Sequence, residues 1–316
     1  MKPLNKIISC ALATAITAGF SLSANASENG ITITPMGTYD FGSGFLPPES
    51  DIGLFGLRYA YYTTDTQKDG NGDKFSGRDF SLDVQAISIL YMKMTDTELF
   101  GGKYGFSVIM PMLNLDGDIT IFNGNTPVFQ NEGEVFRQGD MFITPLILGW
   151  TPSPNLAMNA QFSIQAPTGD YDQNKFVNSG VNHWTIAPSF GFTYINQTGL
   201  EVSSFIELNV NTKNEDTDYK SGSSLRYDFG IGQHVGAWTL GVGGYYFNQF
   251  TDDKTYSGYT GNAITDGNKG EVAAVGPAAS FMKPGLPTVS FHAYKEFNAK
   301  NRAEGYNLAV RLGAVF

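Results

Sequence analysis

The chain has 316 residues, with 37 glycines, 14% aromatic residues and only 16% charged residues. Soluble domains carry about a quarter charged residues, so this composition points away from an ordinary soluble domain, while its mean hydropathy near zero excludes both a helical membrane protein and a disordered chain. The formal net charge is −10; Lys2 and Lys6 are the only charged residues of 1–26, so their loss leaves −12, which argues against nucleic acid as a partner.

Lys2 and Lys6 open the chain, an apolar run rich in small residues covers 7–22, and Ala24-Asn25-Ala26 precedes Ser27. This three-part pattern predicts a secretory signal peptide over 1–26, cleaved after about Ala26. The run is too short and too rich in Ala, Ser and Thr for a membrane anchor, and no basic stop-transfer segment follows it. Ile7-Ile8-Ser9 ahead of Cys10 does not fit lipoprotein processing. Cys10 is the single cysteine, so the mature chain holds no disulfide, thiol nucleophile or Cys-ligated metal.

Beyond the signal no apolar stretch reaches the length of a spanning helix, so any membrane crossing is by strands. Period-two runs recur. Phe55, Leu57, Tyr59 and Tyr61 face away from Arg58 and Ala60. Phe80, Leu82, Val84, Ala86, Leu90 and Met92 are read as facing away from Asp83, Gln85 and Tyr91. Tyr104, Phe106, Val108, Met110 and Met112 form a third set, and 140–151 a fourth, more uniformly apolar strand. Leu156, Met158, Ala160, Phe162 and Ile164 oppose Asn159, Gln161, Ser163 and Gln165. Further strands are predicted at 184–194, 200–210, 225–231, 238–246, 272–282 and 289–294. The last has Tyr306, Leu308, Val310, Leu312, Ala314 and Phe316 on an apolar face and Asn307, Ala309, Arg311, Gly313 and Val315 on a mixed one.

Short links near Thr95-Asp96, Pro152-Ser153-Pro154, Asn196-Gln197, His234-Val235 and Pro284-Gly285 alternate with long ones at 63–77, 115–139, 167–182, 211–222 and 250–270. Outer-membrane barrels alternate in this way, with short periplasmic turns and longer outer loops. The prediction is an all-β, transmembrane, antiparallel up-and-down barrel over 53–316 with about 12 strands, 14 being the alternative count. A soluble β-sandwich would leave too many large residues facing outward. An even count makes the segment from Ser27 to about Pro48 an extra element. It is read as part of an N-terminal extension over 27–52, a candidate plug in the lumen or at the periplasmic mouth.

Several stretches carry a family resemblance in their order along the chain. They are Gly139-Asp140-Met141-Phe142-Ile143-Thr144-Pro145-Leu146, Ala166-Pro167-Thr168-Gly169-Asp170-Tyr171, Asn182-His183-Trp184, Tyr219-Lys220-Ser221-Gly222, Gly243-Gly244-Tyr245-Tyr246-Phe247-Asn248-Gln249 and Val275-Gly276-Pro277. The chain resembles the outer-membrane family named for the meta-pathway of phenol degradation, barrels described as transporters. The resemblance implies a Gram-negative outer membrane, help for aromatic or other hydrophobic compounds in crossing it, and recognition of the Phe316-terminated strand by the barrel-assembly machinery. Read physically, the motifs are architecture: Pro and Gly at 167–169 end a strand and shape a loop.

Chemistry is expected in the lumen. Arg58, His292 and Arg311 fall at mid-height on strands that closure makes neighbours, with Glu207 and Asp228 across the barrel. One reading is a transverse field at a constriction. The other, favoured, is ion pairs that fill a narrow lumen, with Arg226 near Asp228 as one member. Tyr62, Ile87, Ile89, Tyr91, Ile109, Phe205, Tyr245, Phe247 and Tyr294 are also read as inward, a lining more apolar than a general porin's and suited to a modestly hydrophobic solute. Trp150, Trp184, Trp238, Tyr104, Tyr194, Tyr306 and Phe316 are assigned to interfacial girdles.

No catalytic constellation emerges. His183, His234 and His292 are dispersed, without a nucleophile–base signature or metal-ligand spacing. Asp69-Gly70-Asn71-Gly72-Asp73 lacks the sixth-position Gly of a calcium loop and has Phe80 at its twelfth position, so it reads as a solvated turn. The expectation is therefore a non-enzymatic passive channel without cofactor or metal. Its partners are outer-membrane lipid and lipopolysaccharide, the assembly machinery, and a small hydrophobic solute. The alternative is a structural or surface-interaction barrel with a closed lumen and functional acidic outer loops.

Overall fold

Alternating side chains commit these segments to strands with one wet and one greasy face, and in a computed structural model, which describes residues 35–261, 264 and 266–316, those strands close into one barrel. The strands are β1 (Leu54–Thr64), β2 (Arg78–Leu99), β3 (Gly102–Asn123), β4 (Thr126–Gln138), β5 (Met141–Ser153), β6 (Leu156–Ala166), β7 (Thr185–Ile195), β8 (Leu200–Asn211), β9 (Ser224–Val235), β10 (Trp238–Gln249), β11 (Glu271–Phe281), β12 (Thr288–Lys300) and β13 (Tyr306–Val315). All except β4 form a closed antiparallel wall of 12 strands, each paired with its sequence neighbours and β1 with β13. The predicted signal peptide, its cleavage at Ala26 and residues 27–34 of the extension lie outside the described residues.

The outward face is a belt of large apolar side chains. Phe55, Leu57, Tyr59, Leu308, Val310 and Leu312 are each exposed by more than 40%, on two adjacent strands. In water such a surface would drive association; against acyl chains it is the stable state. The end of the chain joins the seam: Phe316 N–H donates to Gly53 O at 2.9 Å, Ile52 N–H donates to Phe316 O at 3.2 Å, and the Phe316 ring meets Phe55 edge-on.

Two predicted connections differ. The segment 115–139 is no loop: β3 continues to Asn123, and β4 pairs with its outer half, from Met112↔Gln138 to Asn123↔Thr126. With the outer part of β2 they form a three-stranded flap above the barrel. Ile119, Ile121 and Val135 are buried in it, and Val177 and Phe176 from the following loop pack where Gly117 and Gly133 have no side chain. The first periplasmic turn lies at Phe100-Gly101, with φ of 52° and 71°, rather than at Thr95-Asp96, because β2 runs on to Leu99.

The outer connections are tied down by buried carboxylates. Asp140 accepts from Gln165 Nε2, Gly169 N–H and Val181 N–H at 2.7–3.0 Å. Gly169 lies so close to Gly180 that a Cβ would sit 2.7 Å from its Cα. Asp253 accepts from Tyr219 Oη, Gly222 N–H, Gln249 Nε2 and Asn268 Nδ2, joining two outer loops. Asp69 accepts from the backbone of Asn71 and Asp73 in a local turn.

The N-terminal segment enters the lumen. Phe45 to Pro48 lie at the periplasmic mouth, in a cleft with Met94, Trp150 and Met158, and residues 35–44 run up inside the wall. Glycines on the wall make room: a Cβ on Gly232 would meet the Phe41 ring at 2.7 Å, and one on Gly191 would meet Ser43 O at 2.6 Å. Gly44 itself is wedged between strands, where a Cβ would land on the Ala157 carbonyl and the Thr193 amide. Gly44→Val is therefore expected to expel the segment while the barrel closes as before. Limited proteolysis of the folded protein should cut within 35–52 in the variant and spare the wild type; equal resistance would refute the steric lock.

Candidate functional site

The inner faces of β8, β9 and β10 hold a fully buried charge cluster. Arg226 sits on β9 with Glu207 directly across on β8 and Phe247 on β10. Its Nη2 is 3.1 Å from Glu207 Oε2, and its Nη1 is 3.4 Å from Asp228 Oδ2 and donates to Pro35 O at 3.1 Å. Asp228 also accepts from the backbone N–H groups of Gly37 and Tyr39, at 3.3 and 3.0 Å. The Tyr39 ring stacks on Phe205 at 3.8 Å, with the Arg226 guanidinium 5.4 and 5.3 Å from the two ring centres. Ion pairs thus occupy this part of the lumen, and the N-terminal segment adds backbone donors and an acceptor to them.

The closing seam carries a second cluster. Arg58 on β1 and Arg311 on β13 are directly opposed, as are Ala309 and His292 on β12. Asp40 of the N-terminal segment accepts from Arg311 Nη2, from Tyr294 Oη at 3.3 Å and from Phe41 N–H at 2.8 Å, and lies 3.1 Å from His292 Nδ1. The His292 ring lies flat on Tyr294 at 4.1 Å. Arg311 also donates to Thr38 O and to Ser290 Oγ. Of the three charged residues predicted at this seam, His292 and Arg311 meet the segment, whereas Arg58 makes no hydrogen bond among the described residues.

Aromatic rings are packed among these clusters. Tyr245, Phe247 and Tyr294 pack with Phe41, Val272, Ala274 and Ala278. Tyr62 and Tyr245 donate to the two oxygens of Glu296 at 2.8 and 2.7 Å, and Gly305 N–H donates to Glu296 at 2.8 Å. Phe205, Tyr245, Phe247 and Tyr294 are all less than 2% exposed. At the periplasmic mouth, Leu46, Met94, Trp150 and Met158 line a cleft of about 270 Å³.

Three predicted lining residues face the other way. Tyr91 is on the membrane side near the periplasmic edge: it packs at 5.2 Å on Phe55 and 6.2 Å from Phe106, and its hydroxyl donates to Ile52 O at 2.8 Å. Ile87 and Ile89 lie beside Tyr59 and Leu57 and are 45% and 48% exposed. β2 is apolar on both faces over this stretch, so alternation alone could not choose its phase; pairing of Ser88 with Arg58 and Ala86 with Ala60 chooses it. Asp40 and Glu296 were not singled out from sequence. Period two from His292 and Tyr294 does reach Glu296, but nothing local marks Asp40.

Breaking a buried ion pair from one side leaves charge uncompensated and costs about 3–5 kcal/mol. Arg226→Ala strands Glu207 and Asp228, so the temperature at which the folded barrel loses its fast electrophoretic mobility should fall. Adding Glu207→Gln and Asp228→Asn should restore most of it; no drop in the single variant would show that the pairs contribute little.

Among curated protein sequences no relative matches. Among solved structures, an outer membrane channel from Pseudomonas putida F1 has a TM-score of 0.70 at 16% identity, covering 88% of this chain and 99% of that one. The CymD monoaromatic hydrocarbon channel has a TM-score of 0.44 at 10% identity, covering 94% and 99%. A FadL homologue from Pseudomonas aeruginosa has 0.37 at 11%, covering 92% and 96%. The first is similar in fold; the other two are too distant to carry an argument. A family model described as "Putative MetA-pathway of phenol degradation" matches residues 64–312, from the end of the first strand into the last, and the chain belongs to that family.

Proposed function

We propose that the protein is an outer-membrane channel for passive uptake of small hydrophobic or aromatic compounds. The observation that carries this reading is the inner lining. Tyr62, Phe205, Tyr245, Phe247 and Tyr294 face the lumen around a narrow segment of the same chain, where a general porin would hold water and dispersed charge. Membership of a family named for phenol degradation supports the aromatic class. The lipid-facing belt supports residence in the outer membrane, and export by the 1–26 leader and folding by the barrel-assembly machinery belong to the same reading. In this role the chain needs no cofactor, and its outer rim meets lipopolysaccharide.

In this reading the N-terminal segment is a removable plug. Its hold on the wall is polar through Asp40, Asp228, Glu201 and Thr193, and apolar through Phe41 and Tyr39, so an entering hydrophobic solute can take over the apolar contacts while water takes over the polar ones.

A second reading has its own observation. Asp83, Asp116 and Glu134 stand in one row across three strands of the flap, with Asp118 opposite Glu132 in the next, forming an acidic outer face. A surface-interaction barrel with a permanently filled lumen would use that face and not the interior.

Growth and uptake of a deletion strain on a panel of aromatic and aliphatic compounds separates the two. The channel reading expects slower uptake of a subset of aromatic compounds, restored by the intact gene. It also expects that deleting residues 27–48 raises single-channel conductance in planar bilayers. Uptake indifferent to the gene, together with a silent barrel after that deletion, would overturn it. Loss of a phenotype on removing the flap, with none from lumen substitutions, would establish the alternative.

A further inference from the structure

Among the described residues Arg58 is the least satisfied charge in the lumen. It is 8% exposed, and among the described residues none of its Nε, Nη1 and Nη2 atoms, all buried, meets an acceptor. Its cross-strand neighbours are Ser88 on one side and Arg311 on the other, so the charged side chain directly opposed to it on the wall is another cation. Like charges directly opposed across strands repel, and a buried guanidinium with idle donors is costly. The carboxylates of the lumen are engaged elsewhere: Glu207 and Asp228 face Arg226, and Asp40 is held by Arg311, His292, Tyr294 and its own backbone. Among the described residues the seam thus sets two arginines against one aspartate.

The wall beside Arg58 is also shaped. Ala60, Ala86 and Ala309 lie side by side on three adjacent strands, one inward position toward the outer surface, with Leu113 at their edge. These three methyl side chains, each buried, make a small-residue apolar patch of the wall just outside the guanidinium, which a solute reaches by displacing what covers it. A planar fork of N–H donors matches a carboxylate in shape and charge, and an apolar floor of small residues suits a small ring or short chain attached to it.

We propose that Arg58, with Arg311 beside it, is the recognition site for the carboxylate of a small organic monocarboxylate whose apolar body rests on Ala60, Ala86 and Ala309. Asp40 of the N-terminal segment occupies the Arg311 half of this site, as an internal carboxylate. An entering solute pairs with Arg58 first and competes with Asp40 for Arg311, which loosens the segment along the same path. The inference rests on the uptake reading for the solute's route, but the site stands on Arg58 itself.

The test is binding of sodium benzoate to the full mature barrel in detergent micelles, followed by ligand-observed NMR at constant ionic strength. Benzyl alcohol serves as the uncharged analogue and inorganic phosphate as the anion without an apolar body. Wild type should bind benzoate at least about tenfold more tightly than either control, the scale of one charge-assisted bidentate contact. Arg58→Gln should lose about that factor, and Arg58→Lys, which keeps the charge without the fork, should fall between. Heat-modifiable mobility of each variant verifies that it is folded; Arg58→Gln removes a buried charge without hydrogen-bond partners and should fold at least as well as wild type. Equal benzoate binding by wild type and Arg58→Gln, no binding by either, or phosphate binding as tight as benzoate would overturn the proposal. A barrel that binds benzoate through Arg58 yet admits no aromatic solute would overturn the uptake reading and leave the site. One that admits toluene but binds no benzoate would do the reverse.

Discussion

Inside a bilayer no water is available to an unpaired peptide group, so a sheet that crosses it has to close on itself. In this protein closure is the pairing of β1 with β13, from Leu54↔Val315 to Thr63↔Tyr306. That one ladder sets which face of each end strand looks inward. It puts Leu57, Tyr59, Leu308 and Val310 against lipid, and it sets Arg58 beside Arg311 in the lumen. The juxtaposition of two cations follows from the register that satisfies the backbone.

The N-terminal segment answers the charges that closure gathers. Asp40 comes to Arg311 and His292, while the amides of Gly37 and Tyr39 come to Asp228 on the opposite wall. Glycines on the wall at 191 and 232 leave the width for it. The interior is therefore neither a water column nor an apolar core. It is a set of polar contacts that one strap of chain makes with several strands, with aromatic rings packed among them. The strap's hydrogen bonds are worth about 0.5–3 kcal/mol net each where the released groups find water, and the Asp40–Arg311 pair with the buried Phe41 ring are its stronger holds.

Outer connections that read as acidic loops carry more structure than their composition suggests. Asp140 and Asp253 are buried anchors, each gathering backbone and side-chain donors from separate segments. They account for the Gly-Asp, Pro-Thr-Gly-Asp and Tyr-Lys-Ser-Gly stretches as joints of the fold. The flap formed by β4 with its two neighbours places a row of carboxylates at the outer rim, beyond the membrane belt.

Most of the architecture was legible in the sequence, because it rests on period-two alternation and on the contrast of short and long connections. The closed antiparallel 12-strand wall follows from that pattern, and the even count leaves the extension to the lumen or its mouth. Pairing of Arg226 with Asp228 followed from two residues sharing one face of one strand. What the pattern could not decide is phase where both faces are apolar, as around Ile87, Ile89 and Tyr91, since either choice buries similar groups until a neighbouring strand sets the register. Nor could it see that Asp116 to Gly133 forms a flap, because the packing of Val177 on Gly117 and Gly133 comes from a segment more than 40 residues away from each of them in sequence. The role of Asp40 is wholly tertiary. An aspartate in a glycine-rich stretch has no local signature, and only the closed barrel brings Arg311, His292 and Tyr294 around it while leaving Arg58 without a hydrogen-bond partner among the described residues.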